Sequence, residues 1–171
     1  FPLLIKGSEG LSFYRQMGRK AYQAGSREEL RGHLREISER LPLQDVFIQE
    51  LIPFTGTNRT ISFTAFCIEG RIHAHWTGIK LREHPVRFGT ATYCKSINLP
   101  EVYELSRILL SGLNYSGVCE VEFILDPRDN RYKLIEINAR TWLWVDLAIK
   151  CGINYPLYIY NYLNHLEQQY P

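Results

Sequence analysis

The chain has 171 residues, 45% of them apolar and 22% charged, which is enough for one domain with a proper core or two small lobes and argues against wholesale disorder. Twenty basic residues against eighteen acidic ones leave a net charge of +2, too little to imply a nucleic-acid or membrane partner. No apolar run approaches the ~18 residues needed to span a bilayer, and Cys67, Cys94, Cys119 and Cys151 lie far apart with no zinc-ligand spacing. These features point to a cytoplasmic protein with reduced thiols.

The chain begins "FPLLIKG", without Met and already inside an apolar strand; this suggests a piece of a longer protein with functional parts upstream. Residues 8–19 carry Gly, Ser and charges and read as a flexible loop, and "KAYQAG" as a return strand. Ser26 opens a helix: Ser-x-x-Glu is a capping box, and Leu30, Leu34, Ile37 and Leu41 follow at helical spacing until Pro42. "DVFIQELIPF" is a strand. "TISFTAFCIEGRIHAHWTGIKLRE" is a pair of long alternating strands turning at Glu69-Gly70.

"ATYCKSI" is a further strand, and "LPEVYELSRILLSGLN" an amphipathic helix with Val102, Leu105, Leu109 and Leu113 on its apolar face. Two more strands, within residues 119–138, flank the turn "DPRDNR", and two helices close the chain. Strand runs with helices set against them predict an α+β fold with mainly antiparallel sheets.

The stretch "CEVEFILDPRDNRYKLIEINAR" concentrates the chemistry. Residues two apart in a strand share a face, so Glu120 and Glu122 point one way in the first strand, and Glu136 and Asn138 share a face in the second. Two carboxylates and an amide oxygen converging across a hairpin make the hard, oxygen-only site that Mg²⁺ prefers when phosphate oxygens complete its shell. Arg140 would stand at the strand end, ready to neutralise a phosphate. The plainer alternative is a solvated hairpin face with ordinary salt bridges.

That stretch resembles the metal-binding hairpin of the ATP-grasp superfamily, in particular its carbamoyl-phosphate synthetase-like and carboxylate–amine ligase-like branches. The resemblance implies two small α+β lobes gripping nucleotide between them. It implies Glu122, Glu136 and Asn138 as metal ligands and Arg140 as a phosphate-side arginine, with Ala139 where Pro is usual. It covers nearly the whole chain. Lys6 matches the lysine that reaches nucleotide phosphates, and Glu50, Leu51 and Ile52 match the linker that contacts adenine.

Lys80 and Arg82, on one strand face, and Arg87 after them match cations placed to stabilise a transferring phosphoryl group. No acid stands where many members grip ribose, which leaves Asn58 or a backbone group for that role. Lys20 is a further candidate cation beside a loop that lacks the P-loop pattern. Glu120 has no counterpart and is expected to be either a partner of the metal ligands or a solvated acid. His73, His75 and His84 receive no role.

By this resemblance residues 1–47 are the remainder of a first lobe, and 48–171 a linker strand and second lobe, the upstream substrate lobe being absent. The implied activity is an ATP-dependent carboxylate–amine (or thiol) ligase acting through an acyl phosphate, with ATP and Mg²⁺ as cofactors and Mn²⁺ as a substitute. The implied partners are an unidentified carboxylate and amine, the rest of a longer chain, and a second copy in a homodimer, with neither nucleic acid nor membrane. The alternative is a nucleotide-binding module with no turnover of its own.

Overall fold

A computed structural model describes residues 1–84 and 90–171. The chain divides into two compact units, Phe1–Phe54 and Thr55–Pro171. No helix among the described residues is long and apolar enough to cross a membrane.

The first unit is an antiparallel sheet, order β2-β1-β3, with two helices. Its strands are β1 (Leu3–Gly7), β2 (Tyr22–Ala24) and β3 (Val46–Glu50). Helix α2 (Arg27–Ser38) starts as its sequence requires: the Ser26 hydroxyl accepts from the Glu29 N–H at 3.2 Å, and Glu29 accepts from the Gly25 N–H at 2.7 Å. Its face, with Ile37 fully buried, packs with Ile5, Phe13, Met17, Tyr22 and Leu41 into one core. β3 hydrogen-bonds to β1 in register Leu3↔Glu50 to Gly7↔Val46, so the strand read as a linker belongs to this sheet.

Residues 8–19 differ from the expected flexible loop. Gly10–Met17 form helix α1, which buries Phe13 and Met17 and ends at Gly18 in a left-handed conformation (φ 70°) whose N–H bonds to the Tyr14 carbonyl. The two apolar residues stand four apart, one helical turn, and their burial outweighs the local Gly and Ser content.

The second unit is a five-stranded antiparallel sheet, order β6-β5-β4-β7-β8. It comprises β4 (Thr60–Ile68), β5 (Arg71–His84), β6 (Thr90–Ser96), β7 (Gly117–Asp126) and β8 (Arg131–Asn138), with α3 (Pro100–Gly112), α4 (Val145–Lys150) and α5 (Tyr155–Leu163). The α+β, antiparallel expectation holds. The β4–β5 turn falls at Glu69-Gly70, both with positive φ (49° and 74°), as a tight hairpin with right-handed twist demands.

On one face of this sheet Ile61, Phe63, Ala65, Cys119, Val121 and Phe123 pack with Val102 and Leu110 of α3. On the other, Phe66, Ala74, Trp76 and Val118 pack with Trp142, Ala148, Tyr155 and Tyr158. The α3 stripe is rotated from the expected one. Val102, Ser106 and Leu110 are buried, while Leu105 and Leu113 are 36% and 56% exposed. A buried serine hides this face from a hydrophobicity pattern; its hydroxyl is satisfied by the Val102 carbonyl at 2.8 Å.

The docking of α1 rests on Gly7, where a Cβ would lie 2.4 Å from the Phe13 Cβ. Gly7→Ala is expected to lower stability by about 1–3 kcal/mol, measured as a reduced urea midpoint with the m-value unchanged.

Candidate functional site

The pleat of the second unit lines polar residues up across four strands. Gly78 on β5 is opposite Ser62 on β4, Ser62 opposite Glu122 on β7, and Glu122 opposite Glu136 on β8. The adjacent row on the same face reads Trp76, Thr64, Glu120, Asn138. Exposure falls inward from the sheet edge: Glu136 is exposed, Glu122 half-buried, and Glu120 only 3% exposed. Glu120 is therefore not the solvated acid that the sequence left open. The Gly78 end is roofed by indoles, since a Cβ there would meet Trp76 at 2.4 Å and Trp144 at 2.8 Å.

Lys80 supplies the counter-charge. It is 7% exposed, and its Nζ lies 2.6 Å from Glu122 Oε1 and 3.9 Å from Glu120 Oε1. Burial disfavours the ammonium, but the charges of Glu122 and Glu120 outweigh it and the net displacement is upward from the usual lysine range. The Glu120 carboxyl is raised by burial first and by the Glu122 carboxylate second; Lys80, the Ser62 hydroxyl and Arg140 pull it back without cancelling the rise. Glu120 Oε1 and the Ser62 hydroxyl are both fully buried on this face.

Asn138 ties the acids together. Its Nδ2 lies 3.1 Å from Glu136 Oε1 and 3.4 Å from both Glu122 Oε1 and Glu120 Oε2. Its Oδ1 faces outward and accepts from Arg140 Nη2 at 3.0 Å. Arg140 is exposed and also donates to the Thr141 carbonyl at 3.0 Å. Among the described residues no three His, Cys, Asp or Glu side chains form a ready-made metal cage. The donor set is leaner: Glu122 and Glu136 face to face, plus one amide. Hard oxygen donors of this number suit a cation that keeps other oxygens from water or phosphate, and the buried Glu120 carboxyl stands beside them.

Other predicted residues are placed differently. Lys80 and Arg82 do not form one regular cationic face. The register shifts between them, Lys80 pairing with Cys94 and Arg82 with Tyr93, so that Lys80 is buried and Arg82 exposed. Arg87 lies outside the described residues. Asn58 is 7% exposed: its Oδ1 accepts from the Thr55 N–H at 2.9 Å, and its Nδ2 donates to the Leu125 carbonyl at 3.2 Å. The side chain proposed for ribose thus holds a turn against β7.

In the first unit Lys6 is half-buried on β1 opposite Phe47, and Lys20 is exposed after α1. Glu50 is exposed at the end of β3, and Leu51 and Ile52 are half-buried beyond it. The Leu51 N–H already donates to the Pro2 carbonyl at 3.1 Å. Ser62 escaped the sequence reading although a signal existed: Thr60, Ser62 and Thr64 alternate with Ile61, Phe63 and Ala65.

Lys80→Ala leaves buried carboxylates unneutralised and is expected to cost about 3 kcal/mol or more near pH 8. Removing the ammonium lifts the folded-state Glu120 carboxyl further above its unfolded value. The stability a raised carboxyl contributes is present below the unfolded value and lost as pH rises through the folded one. Thermal unfolding should therefore show a deficit that shrinks toward pH 4 and grows toward pH 8.

Comparison with known proteins bears on the chain and its fold. Residues 98–152, which contain α3, the acidic hairpin and α4, match the family described as carbamoyl-phosphate synthase L chain, ATP binding domain. The chain is 26% identical over 147 residues to the D-aspartate ligase of Enterococcus faecium (strain Aus0004), covering 82% of this chain and 34% of that protein, so it spans about a third of this curated relative. Its fold is similar to pyruvate carboxylase of Rhizobium etli, with TM-score 0.61 and 17% identity over 91% of this chain and 14% of that one. It is also similar to D-alanine–D-alanine ligase of Bacillus anthracis in complex with ATP, with TM-score 0.56 and 22% identity over 91% and 48% of the respective chains. The hairpin, the sheet order and these likenesses agree: the chain has the α+β fold of the ATP-grasp ligases and is similar to them in sequence.

Proposed function

We propose that the polar face of the second unit binds Mg²⁺ and the phosphates of ATP on behalf of an ATP-dependent ligase. The observation that carries the reading is the direct cross-strand opposition of Glu122 and Glu136, with Asn138 and Arg140 beside them. Glu122, Glu136 and Asn138 would hold the metal, which when bound supplies charge neutralisation on phosphate oxygens. Arg140 reaches solvent and is suited to pair with a phosphate through its planar guanidinium. Lys80 takes a role that differs from direct phosphate contact: buried against Glu122, it holds that carboxylate in place.

Lys6 and Lys20, as cations, and Glu50, Leu51 and Ile52, as the adenine-side segment, complete the nucleotide contacts in this reading. Because Leu51 already donates its N–H to Pro2, adenine recognition would fall to the neighbouring backbone groups.

The likeness to the relative named D-aspartate ligase supports a carboxylate–amine ligase reaction in this reading. A substrate carboxylate oxygen attacks the γ-phosphorus, the bond to ADP breaks, and an acyl phosphate forms. An amine then attacks the acyl carbon, phosphate leaves, and the amine gives up a proton to solvent. The protein's part is to align the two reactants and to neutralise charge.

Glu136 is exposed on the edge strand β8, so Glu136→Gln should fold normally. It is expected to weaken Mg²⁺-dependent ATP binding about tenfold or more, a change of at least about 1.4 kcal/mol, read by isothermal titration with and without Mg²⁺. Equal Mg·ATP affinity in variant and parent would remove the metal assignment. Binding without ADP release, when carboxylates and amines are supplied, would leave a nucleotide-binding module only.

A further inference from the structure

Glu120 stands beside the residues assigned to the metal, is left unused by the proposed chemistry, and has unusual surroundings. It is 3% exposed, stands directly opposite Asn138, and accepts from the Asn138 amide nitrogen at 3.4 Å. Its second oxygen is buried with Lys80 Nζ at 3.9 Å and the Ser62 hydroxyl beside it. Keeping a carboxylate this deep is costly unless its charge is used. It lies too deep to serve as an outer ligand for nucleotide.

We infer that Glu120 is a positioning residue: it fixes which edge of the Asn138 amide is offered to a divalent cation. The inference rests on the metal reading above. An asparagine amide can present either its oxygen or its nitrogen, and nitrogen, a donor, repels a cation. In the structure Nδ2 is turned toward Glu120, Glu122 and Glu136, and Oδ1 toward Arg140. A cation that takes the oxygens of Glu122 and Glu136 ends their hold on Nδ2. Glu120 then remains as the acceptor that keeps the nitrogen engaged, so oxygen is the atom left to the metal. Lys80 and the packing of β7 between two strands hold the carboxylate in place. Outer partners orient metal-binding histidines in the same way.

The pairing can be inverted. Glu120→Gln lets either amide edge of Asn138 turn toward the metal, and Asn138→Asp sets two carboxylates opposite each other. Combining Glu120→Gln with Asn138→Asp restores one donor facing one acceptor and conserves charge. With Mn²⁺ as the probe, in the presence of ADP and read by electron paramagnetic resonance of the free ion, Glu120→Gln is expected to weaken binding about 10–100-fold. The double change should recover most of that loss.

Thermal unfolding of every variant in EDTA separates a folding defect from a binding defect, since the positioning role predicts recovery of affinity and not merely of stability. Unchanged Mn²⁺ affinity in Glu120→Gln would overturn the inference, as would a double variant no better than the weaker single one. Glu136→Gln is the control for the underlying reading. If it binds Mn²⁺ as the parent does, the metal assignment falls and this inference with it. If it loses binding while Glu120→Gln does not, only the role of Glu120 falls.

Discussion

The second unit is organised around the Lys80 ammonium of β5, held across the intervening β4 by two carboxylates of β7. Without Lys80, β7 would carry Glu120 and Glu122 into the middle of a five-stranded sheet with nothing to balance them. With it, the polar face becomes a fixed array, and the opposite face is free to be fully apolar against α3. A buried ion pair of this kind is weak evidence for stability, because hydrophobic replacements often do as well. Its presence is better explained by what lies next to it: the exposed Glu136, the tethered Asn138 and the solvent-facing Arg140.

Much of the site was legible because strand periodicity is simple. The spacing of Glu120 and Glu122, and of Glu136 and Asn138, placed each pair on one face, and the Asn130-containing turn made the two strands a hairpin. The ATP-grasp likeness then supplied roles that spacing alone could not. What stayed hidden depended on pairing between strands distant in sequence. Nothing local says that Lys80 meets Glu122 or that Ser62 lies beside it, nor that Asn58 spends its amide on a turn and the Leu125 carbonyl.

The misread elements have physical causes of the same kind. Helix α1 was obscured by Gly10 and Ser12, since the helix is held by tertiary burial of Phe13 and Met17 and not by propensity. The α3 stripe was misplaced because Ser106 is buried where a hydrophobicity pattern expects leucine. The bulge between Lys80 and Arg82 broke an alternation that the sequence offers no sign of breaking.

The row Gly78, Ser62, Glu122, Glu136 is assembled from four strands, and this couples chemistry to folding. A slip of one residue in the β4–β7 pairing would bring Val121 or Phe123 into the row and turn carboxylates into the α3 core. The arrangement that would bind an anion through a cation is thus also a proofreader of strand register: a misaligned chain loses its core and its site together. Because the row needs non-local pairings, which close late and slowly, a competent site would report a completed sheet rather than a partly folded one.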